Sequence, residues 1–143
     1  MRVATFSIVV GNRACPCRCP FCVSRMTGFG ELPEEAGSVN LQNLHTACML
    51  AKAGQTTTVL LTGKGSPTLF PDQITSHLGS LQPYGFPFLE LQTDSFALGH
   101  LAVCHPKQAG AIRRDHLVRW RELRLGTVAL SVVSTDDAAN ARI

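Results

Sequence analysis

The chain has 143 residues, of which 45% are hydrophobic and 16% are charged. This length is enough for one domain that buries roughly two thirds of its unfolded surface. No stretch approaches the roughly 18 apolar residues of a membrane-spanning helix, and Val, Leu and Ile are too plentiful for a disordered chain. A net charge of +3 is too small to indicate a nucleic-acid or anionic membrane partner by itself. We therefore expect neither a membrane nor a nucleic acid among its partners.

The chain opens with Arg2 and an apolar run, Val3–Val10, which superficially resembles a secretory signal. The run is short, and Thr5 and Ser7 interrupt it, so it is more typical of a buried strand. We accordingly expect a cytoplasmic protein whose first strand is Arg2–Val10.

Three later segments are rich in β-branched and apolar residues, and each follows a stretch of helical character. The predicted strands are Thr57–Thr62, Phe88–Thr93 and Thr127–Val133, and the predicted helices are Leu41–Ala53, Asp72–Leu81 and Ile112–Leu125. Asn40 is suited to cap the first helix, and Gly54 and Gly126 are suited to end the first and third. This alternation predicts βα units and a parallel sheet, which right-handed crossovers curl into an open sheet or part of a barrel.

Two long segments interrupt the alternation, and both are predicted as loops. Gly11–Val39 follows the first strand, and Ser95–Gly110 follows the third. The segment after the fourth strand, Ser134–Ile143, is predicted as a loop or the start of a helix. Four parallel strands leave an edge uncovered, which complete α/β domains usually avoid. We therefore expect residues 1–143 to be a single domain truncated after its fourth strand, or half of a structure that dimerises.

Four of the six cysteines lie within eight positions: Cys15, Cys17, Cys19 and Cys22. Thiols this close rarely pair with one another without strain, and a disulfide framework normally spreads its cysteines along the chain. In a reducing compartment such a group indicates a metal or a cluster. Cys15, Cys19 and Cys22 have the spacing that supplies three corners of an iron–sulfur cluster and leaves one iron open to substrate.

Polar residues and glycines follow the other predicted strands. Gly63-Lys64-Gly65-Ser66-Pro67 follows the second strand, Gln92, Thr93 and Asp94 end the third, and Ser131 and Ser134 end the fourth. The carboxyl ends of parallel strands meet at one edge of a sheet, where α/β folds place their sites. We therefore expect these groups and the cysteine loop to surround one site.

The third strand places its polar residues on one face. Glu90, Gln92 and Asp94 alternate along the chain and so share a side. Leu89 and Leu91 lie on the opposite side, which the helices need for packing. We expect the polar face to line a barrel lumen, where it would meet cofactor or substrate.

The cysteine loop strongly resembles the signature of the radical S-adenosylmethionine superfamily, Cys-x-x-x-Cys-x-aromatic-Cys, which is matched by Cys15, Cys19, Phe21 and Cys22. A second element of that family is a glycine-rich turn after the second strand, which receives the amino group of S-adenosylmethionine. The turn Lys64–Pro67 is similar to it. The ends of the third and fourth strands, Glu90–Thr93 and Ser131–Ser134, also look like those of the family, so the resemblance covers nearly the whole chain.

The resemblance implies a partial (β/α) barrel of about four strands around a 4Fe-4S cluster ligated by Cys15, Cys19 and Cys22. Bound S-adenosylmethionine would be cleaved reductively to a 5′-deoxyadenosyl radical, which abstracts hydrogen from a substrate. The resemblance also implies the remaining binding residues: Phe21 beside the adenine through its backbone, Gly63, Gly65 and Ser66 at the methionine end, and Thr93 and Ser131 near the ribose.

The chain departs from the family pattern in two respects. Its turn has Ser66 in place of an acidic residue and Lys64 in place of a glycine, and the last two of the six strands usual in the family are missing. The implied chemistry requires an electron donor such as flavodoxin or ferredoxin. Arginines of the third predicted helix are a candidate dock for it, although a solvated cationic face is the simpler interpretation. A homodimer, or a partner chain that completes the barrel, is also expected.

Other interpretations remain open. The four cysteines could form a structural zinc site, but zinc sites usually use two well-separated ligand pairs. A ferredoxin-type cluster would need a fourth ligand such as Cys17, which we interpret as lying outside the ligand set. A non-catalytic metal-binding module, or an inactive half-barrel that works in a complex, is the alternative to an enzyme. The turn is not a phosphate-binding loop, because Thr58 and Gly65 stand where that motif needs Gly and Ser or Thr.

Overall fold

The structure is a computed structural model that describes residues 3–12, 14–17, 19–26, 39–94, 96–103, 112–131, 136 and 138. Its strands are β1 (Thr5–Val9), β2 (Thr58–Thr62), β3 (Phe88–Thr93) and β4 (Leu125–Leu130). Its helices are α1 (Val23–Met26), α2 (Leu41–Ala53), α3 (Pro71–Leu81), α4 (Phe96–Val103) and α5 (Arg114–Glu122). Two short 3₁₀ turns lie at Pro67–Leu69 and Gln82–Tyr84. Within these described segments, no helix is both long enough and apolar enough to cross a membrane.

The four strands form one parallel sheet in the order β1-β2-β3-β4. Ile8 on β1 lies opposite Leu61 on β2, which in turn lies opposite Leu91 on β3. Because right-handed crossovers between sequential strands keep turning the same way, this order places the connecting helices on one side of the sheet, as in a barrel. The fold is therefore a partial (β/α) barrel, as the sequence predicts.

The hydrophobic core lies between one face of the sheet and the helices. The fully buried side chains include Val59, Leu61 and Leu91 from the strands and Cys48, Ile74, Leu78 and Trp120 from the helices. Each buried aliphatic side chain contributes about 1.5–3 kcal/mol relative to an exposed one. On the opposite face of the sheet, Ser7, Val9 and Gln92 are exposed. That open face carries the polar residues of β3, in agreement with the expected orientation of Gln92.

Helix α5 is fixed on α3 by polar contacts as well as by packing. The indole Nε1–H of Trp120 donates a 2.9 Å hydrogen bond to Oγ1 of Thr75, and Trp120 is 1% exposed. Nε2 of His116 lies 3.3 Å from Oδ1 of Asp72. These contacts satisfy the polar atoms that α5 would otherwise bury alone.

The helix ends are confirmed at α2 but not at α5. The side chain of Asn40 accepts a 3.0 Å hydrogen bond from the backbone N–H of Asn43, so the predicted cap is present. Gly126 does not end the third predicted helix, because it lies inside β4. Arg124 makes the turn instead, with a left-handed φ of 67° that is more usual for glycine.

Both segments that were predicted as loops contain helices. Gly11–Val39 includes α1, and Ser95–Gly110 includes all of a second helix, α4. The start of α4 is stabilised by Asp94, whose Oδ1 accepts a 3.2 Å hydrogen bond from the backbone N–H of Phe96. Such an Asx turn can start a helix that has no hydrophobic periodicity in its sequence, which explains why α4 was not predicted. The predicted boundaries at Arg2 and Val133 lie outside the described residues, as do Ser134 and nearly all of the segment that follows it.

Candidate functional site

A cavity of about 540 Å³ lies at the carboxyl edge of the sheet. Its lining comes from four places in the chain: Cys15, Cys17, Cys19, Cys22 and Ser24 from the segment after β1; Thr62, Gly63, Lys64, Gly65 and Pro67 from the end of β2 and its turn; Gln92, Thr93 and Asp94 from the end of β3; and Ser131 after β4. The volume is within the range of about 300–1,000 Å³ that is typical of small-molecule sites. The end of every strand therefore contributes to one site.

The cysteine loop is held against the turn after β2 by backbone contacts. The N–H of Ser66 donates a 2.8 Å hydrogen bond to the carbonyl of Ala14, directly before the first cysteine. Gly11, at the start of the loop, has a φ of 73°, and a Cβ added there would clash with the Phe70 ring. Only glycine suits this combination of conformation and close approach. The loop is thus anchored at Ala14, and its start is held by a hydrogen bond from the Gly11 N–H to Oε1 of Gln73.

The turn after β2 is tight at Gly63. A Cβ at this position would lie 2.9 Å from the carbonyl oxygen of Gly65 and 3.1 Å from Cδ of Pro67. The absence of a side chain at Gly63 lets the backbone fold back on itself beside the cavity.

Asp94 connects the turn to the cysteine loop. Its Oδ1 accepts hydrogen bonds from the Ser66 hydroxyl at 2.8 Å and from the Phe96 N–H at 3.2 Å. Its Oδ2 faces the loop, with the sulfur of Cys15 at 3.5 Å and that of Cys17 at 4.0 Å. Ser66 is 1% exposed, so the hydroxyl that orients the Asp94 carboxylate is itself buried.

The electrostatics of the loop favour protonated thiols. Partial burial of its thiol raises the pKa of Cys15 to about 11, and the negative charges of Asp94 and Cys17 act in the same direction. Burial and the Asp94 carboxylate also raise the pKa of Cys17. Without a bound cation, these cysteines are therefore thiols rather than thiolates at neutral pH.

The structure brings most of the predicted site residues together. Seven of them line the cavity: Cys15, Cys19, Cys22, Gly63, Gly65, Thr93 and Ser131. Ser66 does not line it but lies buried behind Asp94, while Phe21 is 52% exposed and its side chain is not part of the lining. Of the polar residues on β3, Gln92 and Asp94 line the cavity, whereas Glu90 does not.

Sequence reasoning placed Lys64 and Asp94, the two lining residues whose side chains are charged, at this edge of the sheet and expected Asp94 to meet cofactor or substrate, but it named neither among the binding residues. The position of Asp94 could be found, because it directly follows β3 and shares the sheet edge with the cysteine loop. Its hydrogen bond with Ser66 could not, because the two residues are 28 positions apart and nothing local pairs them.

Comparison with known proteins gives no match: no protein-family model, no curated protein and no solved structure matches this chain. What the cavity binds is therefore inferred from its own residues.

Proposed function

We propose that this chain is a radical S-adenosylmethionine-type domain in which Cys15, Cys19 and Cys22 hold a 4Fe-4S cluster. The observation that carries the proposal is the convergence of the cysteine loop and the glycine turn on one cavity, joined by the Ser66–Ala14 backbone hydrogen bond. The resemblance in sequence concerns these two elements, which lie more than 40 positions apart in the chain.

The residues fit such a cluster by their chemistry. Thiolates are the ligands that iron–sulfur clusters take, and the three cysteines line the same cavity as the glycines of the turn, Gly63 and Gly65. When bound, the reduced cluster would supply one electron for cleavage of S-adenosylmethionine into methionine and a 5′-deoxyadenosyl radical, which would abstract hydrogen from the substrate. The chain's own residues position the cofactor for that reaction.

The two charged residues of the cavity complement an amino-acid zwitterion. Asp94 presents a carboxylate for an ammonium group, and Lys64 presents an ammonium group for a carboxylate. The methionyl part of S-adenosylmethionine carries both groups. Asp94 thereby supplies the negative charge that the turn lacks at Ser66, and the Ser66 hydroxyl holds it in place. Gly63 and Gly65 leave the turn backbone accessible beside them.

The other end of the cofactor is assigned to the strand ends. The polar residues Gln92 and Ser131 line the cavity and are exposed, so their side chains are accessible to ribose hydroxyls. Thr93 is 2% exposed and its hydroxyl lies 3.2 Å from Oγ1 of Thr68, so it contributes mainly by fixing the end of β3. The backbone of Phe21 remains the proposed contact for adenine.

The electron donor is proposed to be an acidic flavodoxin or ferredoxin that docks on the exposed arginines of α5. Arg114 and Arg121 are exposed on this helix, and Arg119 is exposed while paired with Glu122 at 3.1 Å. Docking by charge predicts that the rate of cluster reduction falls as ionic strength rises. A rate that does not depend on salt would contradict this assignment.

The proposed function is tested by anaerobic reconstitution with iron and sulfide, followed by electron paramagnetic resonance of the reduced protein. We expect a 4Fe-4S signal whose shape changes when S-adenosylmethionine is added. Cys19→Ala should abolish the cluster, whereas Cys17→Ala should retain it, since Cys17 is outside the proposed ligand set. A signal indifferent to S-adenosylmethionine would reduce the chain to a cluster-binding module, and no cluster at all would contradict the proposal.

A further inference from the structure

A second set of metal-ligating atoms lies in the cavity and differs from the proposed cluster ligands. It consists of the sulfurs of Cys15 and Cys17 and a carboxylate oxygen of Asp94, which all lie within 4.8 Å of one another. The oxygen is 3.5 Å from the Cys15 sulfur and 4.0 Å from the Cys17 sulfur. Cys19 and Cys22 line the same cavity but do not belong to this group.

These separations suit a tetrahedral divalent metal. Zinc binds sulfur at about 2.3 Å and carboxylate oxygen at about 2.0–2.2 Å, which places a sulfur and an oxygen ligand about 3.5 Å apart across a tetrahedral angle. The distance between the Cys15 sulfur and the Asp94 oxygen already has this value. The distance from the Cys17 sulfur to this oxygen is longer, and a small side-chain rotation would shorten it. Both sulfur–oxygen separations are therefore close to those of a tetrahedral site.

The carboxylate is already oriented for such a metal. Oδ1 of Asp94 is held by the Ser66 hydroxyl and the Phe96 N–H, while Oδ2 faces the two sulfurs. Hydrogen bonds of this kind fix the direction of a ligand and add to metal affinity. Two thiolates and one carboxylate suit zinc and disfavour magnesium or calcium, which prefer sites made of oxygen atoms alone.

We propose that the cluster-free chain binds one Zn²⁺ through Cys15, Cys17 and Asp94, with both thiol protons released to solvent and the fourth position left to water. Zinc and the 4Fe-4S cluster then exclude each other, because both require Cys15. The zinc site stands on the geometry alone, whereas the exclusion rests on the proposed function. Cys17, which the cluster does not use, thereby has a ligand role of its own.

The zinc site is tested on the full chain, made metal-free and kept reduced under anaerobic conditions. Titration with Co²⁺ should give one equivalent bound, with sulfur-to-cobalt charge-transfer absorption that Zn²⁺ then displaces. Cys17→Ala and Asp94→Asn should each lower the Zn²⁺ affinity by about 100-fold or more, since even outer hydrogen-bonding partners are worth about 10–100-fold.

Cys19→Ala and Cys22→Ala are the matched controls, because they make the same substitution as Cys17→Ala in the same loop. Both should retain zinc affinity within a few-fold of the wild type. An equal loss in all the cysteine variants would overturn the proposal in favour of a four-thiolate site. A wild-type chain that binds neither Co²⁺ nor Zn²⁺ would also overturn it. Circular dichroism of each variant separates loss of a ligand from loss of the fold.

The exclusion is tested by loading zinc before iron and sulfide are added. Iron uptake should fall in the zinc-loaded wild type and should not fall in Cys17→Ala treated in the same way. Equal iron uptake with and without zinc would overturn the exclusion. A wild-type chain that binds zinc but never takes up iron would contradict the proposed function and leave the zinc site supported.

Discussion

The hydroxyl of Ser66 donates a 2.8 Å hydrogen bond to Oδ1 of Asp94 and thereby joins the turn after β2 to the end of β3. Ser66 stands where the resemblance leads one to expect an acidic residue. The carboxylate is present nevertheless, on the neighbouring strand end and facing the same cavity. In the proposed function, this carboxylate takes the role of the acidic residue that the turn lacks.

Replacing Asp94 by Ser should weaken binding of S-adenosylmethionine to the cluster-loaded protein. A hydrogen bond to a charged group contributes about 1.5–3 kcal/mol, so we expect a loss of about 10- to 100-fold in affinity. The iron content should not change, because Asp94 is not a proposed cluster ligand. Equilibrium dialysis with labelled S-adenosylmethionine measures the affinity, and iron analysis of the same samples measures the cluster.

The exchange variant Ser66→Asp/Asp94→Ser moves the carboxylate to the turn and leaves a hydroxyl on β3. It should regain part of the affinity that Asp94→Ser loses. Glu122→Gln is the control, since it neutralises an exposed carboxylate on α5 that is not part of the cavity lining. If Asp94→Ser binds S-adenosylmethionine with full affinity, Asp94 does not contribute to its binding.

Gly63→Ala should destabilise the fold, and Gly79→Ala should stabilise it. A Cβ at Gly63 meets the Gly65 carbonyl oxygen at 2.9 Å, and this backbone atom cannot move aside cheaply. We expect a cost of about 1–3 kcal/mol from such overpacking. Gly79 lies inside α3 with no atom within 4 Å of an added Cβ, so alanine should contribute up to about 1 kcal/mol through helix propensity.

Urea unfolding followed by circular dichroism measures both changes in the free energy of unfolding. The two substitutions are chemically identical, so opposite signs report the local surroundings alone. A Gly63→Ala variant as stable as the wild type would show that the turn has room for a Cβ at this position.

The sheet could be predicted from the sequence because each strand is a short apolar run bounded by turn residues. Thr58–Thr62 and Phe88–Thr93 match their predicted bounds within one residue. The start of β4 was misplaced because Gly126 seemed suited to end a helix, whereas Arg124 adopts the left-handed conformation there. The pairing of β4 with β3 sets this boundary, and no local sequence pattern indicates that pairing.

The site could be predicted in outline, since the cysteines and the glycine turn follow strands whose carboxyl ends meet. Asp94 was expected at the site, but its partners could not be predicted, because Ser66 and the thiol of Cys15 are 28 and 79 positions away. Phe21 was assigned from a motif to contact adenine through its backbone, and that contact stays a prediction. Its side chain is exposed rather than part of the cavity lining.

The stability of the fold should fall as the pH is lowered below about 6.5, and His77 should account for part of this loss. His77 is 7% exposed on α3, and its Nδ1 has no hydrogen-bond partner among the described residues. Burial lowers the pKa of this imidazole, so the unfolded chain binds a proton more tightly than the folded one. The contribution of His77 is complete above the unfolded pKa of about 6.5 and is lost as the pH falls through the lower folded pKa.

Urea unfolding at several pH values between 7 and 5 measures this dependence. His77→Leu should reduce the slope of unfolding free energy against pH, because it removes the buried imidazole. A slope that is unchanged in His77→Leu would assign the acid sensitivity to other groups.

Alkylation of Cys15 in the metal-free chain should be slow at neutral pH and should accelerate when Asp94 is neutralised. The thiolate is the reactive form, and partial burial together with the Asp94 carboxylate raises the pKa of Cys15 to about 11. The rate with iodoacetamide should therefore rise about tenfold per pH unit below that value.

Asp94→Asn removes a negative charge near the sulfur, which lowers the pKa of Cys15 and increases the alkylation rate at pH 8. Glu90→Gln neutralises a carboxylate on the same strand that does not line the cavity, and it should leave the rate unchanged. Mass spectrometry of the peptide that carries Cys15 gives the rate for this residue, and equal rates in the wild type and Asp94→Asn would mean that the carboxylate does not act on the thiol.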